Sequence, residues 1–275
     1  MSPLPVGLLC GSLIVGAVAL SNPFAIAGCA LASTLLLWSA PPPRRAYVWF
    51  AASSAVLVFV VNPFAGVQGL TPIWTGPSLP VIDTQVTQEE LVFGLAAGLR
   101  LFGSALAVAA FVRIADGDRV LAAVARVAPR SAMIAALASR LLPILERDAA
   151  GLMLGARARA ARLDQRRHAA ALAGPLLALS LERSMALAEA MEARGYGAGQ
   201  RTVTPRPPLA WTERLLLAVA IAVTATVVIA IPPDHYRYYD LLGDPFTVVG
   251  LVTAAITTAC GCAAAYLVRG GSERS

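Results

Sequence analysis

Apolar positions fall into six long runs along the chain and, between residues 114 and 208, recur at helical spacing among charges. A transmembrane helix needs about 20 mostly apolar residues to cross a hydrocarbon layer about 30 Å thick. Six stretches approach that length, roughly 4–20, 23–39, 46–66, 91–113, 209–231 and 244–268, with Pro, Gly or charged residues between them. The first two, joined at Ser21-Asn22-Pro23, predict a tight hairpin. In 114–208 the charges of Arg126, Arg130, Arg140, Glu146, Arg147 and Asp148 interrupt every apolar run before it reaches a span's length.

That middle region predicts amphipathic helices. Between Leu176 and Gly195, the side chains of Leu177, Leu181, Met185, Ala188 and Met191 share one side at 3.6-residue spacing. Glu182, Glu189 and Ala193 take the other side, with Arg183 and Arg194 at the boundary. An earlier helix is predicted from about Ala135 through Pro143 and Glu146 to Arg162, carrying Arg157, Arg159 and Arg162 in its last turns. Cations there favour the negative end of the helix dipole. The second helix should stop at Gly195, a glycine of the kind that follows a helix, and Gly197, Gly199 and Pro205 prevent its continuation. The expected fold is therefore all-α, a polytopic membrane protein with about six transmembrane helices and two or three amphipathic cytoplasmic helices. Its parts are a membrane region 1–113, a cytoplasmic region 114–208 and a C-terminal membrane region 209–275.

Orientation follows from arginine, which collects in short cytoplasmic loops. Arg44 and Arg45 follow the second run, Arg113 and Arg119 the fourth, Arg269 and Arg274 the last. The loop 67–90 holds Asp83, Glu89 and Glu90 but no arginine, and the loop 232–243 holds only Arg237. Both termini are thus expected in the cytoplasm. The first run lacks a cationic leader and the chain stays apolar beyond it, so a cleaved signal peptide is not expected.

Composition narrows the chemistry. The chain is 57% hydrophobic and 14% charged, with a mean hydropathy of +0.69, where soluble domains hold about 45–50% apolar and about 25% charged residues. Its net charge is +6, but the basic residues are not interleaved with aromatics as in a nucleic-acid groove, so no nucleic acid is expected. All 22 basic side chains are arginine. Without lysine the chain can form neither a Walker A loop nor a pyridoxal Schiff base, so any ATP hydrolysis belongs to another subunit. Cys10, Cys29, Cys260 and Cys262 lie in apolar runs and read as small hydrophobes, and His168 and His235 are far apart, so neither metal nor cofactor is expected.

Three further features admit more than one reading. Gly94 and Gly98, like Gly7 and Gly11, have the spacing that lets membrane helices approach closely, either within the chain or against another subunit. Arg100 lies near the middle of the fourth run, where a charge costs about 2.5–3.5 kcal/mol, so its guanidinium must face protein or water. Asp116-Gly117-Asp118 is an acidic pair at a membrane edge and reads as a solvated turn.

The segment Met191-Glu192-Ala193-Arg194-Gly195-Tyr196-Gly197 resembles the second coupling motif, an Ala-Arg-Gly signature, of the transmembrane (T) component of energy-coupling factor (ECF) transporters, the family that includes the cobalt-type permeases. Upstream, Val86-Thr87-Gln88-Glu89-Glu90-Leu91 leads into Gly98-Leu99-Arg100-Leu101, and Arg140-Leu141-Leu142-Pro143-Ile144-Leu145 into Ala156-Arg157-Ala158-Arg159-Ala160, so the likeness covers about residues 45–200. It implies two cytoplasmic coupling helices whose terminal arginines dock on a pair of ABC-type ATPases in a prokaryotic plasma membrane. ATP-driven closure would then reorient a small substrate-capturing membrane (S) subunit. By position Arg194, between Ala193 and Gly195, carries the second motif. In the first motif Ala160 stands where the family usually has glycine. Arg157 and Arg159, on either side of Ala158, both meet the position, and Arg159 is preferred. Arg100 matches a position where the family also carries arginine.

Two other classes compete. A stand-alone secondary transporter should show inverted repeats and ionisable residues at midplane, but the sequence has no convincing repeat and Arg100 is its sole such charge. An intramembrane enzyme would need a nucleophile and base, and no Ser/His or Cys/His pair is evident.

Overall fold

The computed structural model describes residues 2–42, 44–62, 72–75, 85–158, 165–196, 199, 210–232, 236, 238 and 246–272. They form two compact units, Met1–Val120 with Leu209–Ser275, and Leu121–Pro208.

The first unit is a helix bundle of α1 (Pro3–Ala19), α2 (Pro23–Ser39), α3 (Arg45–Val61), α4 (Gln88–Ile114), α8 (Trp211–Ala230) and α9 (Val248–Ser272). The chain between α4 and α8 contributes α5 (Gly117–Val124), α6 (Pro129–Ala158) and α7 (Gln165–Ala193). Helices α4, α8 and α9 are long and apolar enough to cross a membrane, while α1, α2 and α3 are apolar and 17 residues long. Seventeen residues rise about 26 Å, at the lower limit for a span. The chain is a polytopic α-helical membrane protein, as its hydropathy predicts.

Packing explains the small residues. Helix α2 packs on α9, α4 and α1, helix α1 on α8 and α4, and α3 chiefly on α4. Lipid supplies no hydrophobic drive between helices, so close approach and van der Waals contact must hold them together. A Cβ added at Gly28 of α2 would lie 2.6 Å from the Ala254 Cα, and one at Gly261 of α9 would lie 2.7 Å from the Ala32 Cα. Gly98 approaches the Ala55 carbonyl and Gly94 the Phe59 carbonyl, so this pair serves packing of α4 on α3 within the chain. Gly7 meets Phe111, whereas a Cβ at Gly11 would meet nothing within 4 Å. Cys10 and Cys29 are buried in the core, and Cys260 and Cys262 lie on α9.

Two local departures have clear causes. Helix α4 begins at Gln88 rather than 91, because Thr87 and Glu90 form a reciprocal capping box that draws Glu89 and Glu90 into the first turn, where both are buried. The segment before it, expected as loop, contains a two-stranded antiparallel ribbon, β1 (Pro72–Thr75) paired with β2 (Gln85–Thr87), with Trp74 opposite Val86 and an irregularity between Pro72 and Trp74. Its β-branched and aromatic residues favour strand pairing.

In the second unit α6 begins at Pro129, earlier than Ala135, because proline fits the first helical turn, where its missing N–H has no partner to lose. It runs through Pro143 to Ala158, and α7 runs through Pro175 to Ala193.

Candidate functional site

The end of α7 is built by a glycine cap. Arg194 N–H donates to the Ala190 carbonyl at 3.3 Å, Gly195 N–H to Glu192 at 2.9 Å and Tyr196 N–H to Met191 at 3.0 Å. Gly195 adopts φ 74°, the left-handed region where a side chain is strained. The crossed pair of bonds from Gly195 and Tyr196 is a Schellman motif, which satisfies carbonyls that the helix leaves open. It makes Arg194 the last residue before the reversal, and Ala193, Arg194 and Gly195 are all exposed. A guanidinium held there sits at the negative end of the dipole and presents a planar fork suited to a carboxylate.

The first candidate end is partly described. Arg157 lies in the last turn of α6 and Ala158, exposed, is its final residue. Arg159 and Arg162 lie outside the described residues. The structure thus gathers Ala193, Arg194 and Gly195 in one cap and leaves Arg157 and Ala158 on a separate helix end.

Sequence periodicity did not identify what joins the two helices. Arg183 Nη1 donates to Asp148 Oδ2 at 2.8 Å, linking α7 to α6. The half-buried row of α7, Leu176, Ser180, Arg183, Leu187 and Met191, lies on this side. Of the predicted aliphatic stripe only Met191 joins this row, and Leu177, Leu181, Met185 and Ala188 do not. Leu177, Leu181 and Met185 are 63%, 65% and 65% exposed.

Arg100 occupies a different place, in the first unit. Its Nη2 donates to the Leu20 carbonyl at 3.1 Å, and its guanidinium lies 5.9 Å from the centre of the Tyr238 ring. Leu20 caps the C-terminus of α1, so the cation faces the negative end of that helix rather than lipid. The Tyr238 hydroxyl donates to the Ser21 carbonyl, and Asn22 Nδ2 to Thr247 Oγ1 at 2.8 Å. The Ser21-Asn22-Pro23 hairpin turn is therefore held by α4, by Tyr238 and by the start of α9. Among the described residues no three His, Cys, Asp or Glu side chains gather as a metal site. Asp116 Oδ1 accepts from the Asp118 N–H at 3.1 Å, so the acidic pair expected in a turn instead caps and opens α5.

A bundle of apolar helices with two long, largely exposed helices between its fourth and fifth members in the chain defines a polytopic α-helical membrane protein. Residues 6–205 match the cobalt transport protein (CbiQ) family, which is the family of ECF transporter T components, and the chain belongs to it. The match begins in α1, well upstream of residue 45, and includes the Arg194 cap. No curated protein matches the chain.

Proposed function

We propose that the chain is the non-catalytic transmembrane coupling subunit of an ECF-type ABC importer for vitamins or transition-metal ions such as cobalt, in a prokaryotic plasma membrane. The observation that carries this reading is the α7 cap, which fixes exposed Arg194 at a rigid helix end. Arg194, together with Arg159 or Arg157 beside Ala158 at the end of α6, pairs with acidic residues on a cytoplasmic ATPase pair. The exposed stripe Leu177, Leu181 and Met185 fills an apolar groove there. Residues 114–208 then form the coupling region between membrane regions 1–113 and 209–275. ATP is hydrolysed by the partner subunits, since a chain without lysine has no Walker A loop. A small S subunit in the membrane captures the cargo and so sets its identity.

Co-expression with the ATPase pair tests the reading. Detergent-solubilised chain should carry the ATPases through purification, and Arg194→Ala with Arg159→Ala should abolish their retention or substrate uptake while membrane insertion is unchanged. Full uptake by the double variant would refute it. Uptake into liposomes without ATP or partners would instead mark a secondary transporter.

A further inference from the structure

A cavity of about 540 Å³ opens at one end of the first unit, where α2 and α4 end, α8 begins and α9 ends. Among the described residues its lining holds four guanidinium groups, from Arg44, Arg113, Arg119 and Arg269, against one carboxylate, Glu213. That carboxylate is already engaged. Arg119 Nη1 lies 3.0 Å from Glu213 Oε1, which also accepts the Ser2 N–H at 2.7 Å, and Arg119 lies 3.7 Å from Asp116 as well.

The other cations touch backbone. Arg44 Nη1 donates to the Trp38 carbonyl at 2.6 Å, and Arg113 Nη2 donates to the carbonyls of Pro41 at 3.0 Å and Pro42 at 2.6 Å. The guanidinium groups of Arg44 and Arg113 each have five N–H donors in a fixed fork, so these bonds orient them and leave donors for a further acceptor. Four guanidinium groups beside one carboxylate that is already engaged leave the cavity with an excess of positive charge, which suits an anion.

Surroundings decide which anion. Trp38 lines the cavity while remaining 58% exposed, as an aromatic ring does at the headgroup level of a bilayer. Val112 and Leu215, next in the chain to Arg113 and Arg214, are exposed on the flanks of apolar helices. A ligand with a phosphate at the cavity and hydrocarbon along those flanks satisfies both surfaces. We infer that this arginine-lined cavity binds the phosphodiester headgroup of an anionic phospholipid from the adjoining leaflet. The site is independent of the coupling role and holds in the chain alone.

Native mass spectrometry and thermal unfolding of the detergent-purified full-length chain test it. Dioleoyl-phosphatidylglycerol should remain as a single bound lipid and raise the unfolding midpoint, and dioleoyl-phosphatidylcholine should do neither. Thr212→Glu places a carboxylate in the cavity lining without removing any arginine. Because Thr212 lies in the first turn of α8, where an acidic side chain suits the dipole, the variant should fold. It should weaken phosphatidylglycerol binding on the order of tenfold, through repulsion between the new carboxylate and the phosphate. Arg44→Gln should act in the same direction. Equal retention of both lipids, or undiminished phosphatidylglycerol binding by folded Thr212→Glu, overturns the assignment. An equal midpoint rise with inorganic phosphate overturns the lipid source and leaves a soluble phosphate site.

Discussion

Gly195 and Arg100 show how single residues position the chain. At φ 74° any L side chain adds about 1–2 kcal/mol of strain, so Gly195→Val should fray the last turn of α7 and speed amide exchange at Met191–Tyr196. Gly199→Ala, with open space around the added methyl, should leave that exchange unchanged. Arg100→Leu removes the Leu20 carbonyl's donor and the cation over Tyr238, and should cost about 1.5–3 kcal/mol, read as a lower unfolding midpoint in detergent. A midpoint equal to that of the natural chain would exclude a clamping role. The sequence requires that Arg100 avoid lipid, because charge burial alone demands it. Its partners are unreadable there, since Leu20 is 80 positions away and Tyr238 lies in another loop.

Among elements, α7 has two sides with different work. Leu181→Glu should leave helix content intact by circular dichroism and reduce ATPase co-purification, because the stripe it interrupts is not the side that meets Asp148 of α6. Helix pairing in the bundle responds to different changes. Gly28→Val drives a side chain into the Ala254 backbone and should lower stability by about 1–3 kcal/mol in thermal unfolding. The α7 end was legible in sequence because a glycine cap is local. The start of α4 was equally legible in Thr87-Gln88-Glu89-Glu90, but a hydropathy window discounts charged residues and misses a capping box. The contact between α2 and α9 was not legible, since Gly28 and Ala254 are brought together only by tertiary packing and the small residues carry no label for their partner.

At the scale of the molecule, arginine placement and bundle geometry point to one end. Arg113 reaches Pro41, Arg269 donates to the Trp38 carbonyl at 3.4 Å, and Arg119 meets Glu213, so the ends of α2, α4 and α9 and the start of α8 share one side of the first unit. If that side is cytoplasmic, an alkaline phosphatase fused after Ser275 should be inactive and a fluorescent protein there should glow; the reverse pattern would invert the topology.

The clamped hairpin turn also sets an order of events during synthesis. Helices α1 and α2 leave the ribosome first, yet the Ser21 carbonyl receives its Tyr238 donor only 217 residues later. At about 5–20 residues per second that is a delay of roughly 10–40 s, during which, of these fastenings, only Arg100 of α4 can reach the turn. A chain cut short before Tyr238 would lack this bond, so a turn that carries it reports that synthesis has passed residue 238.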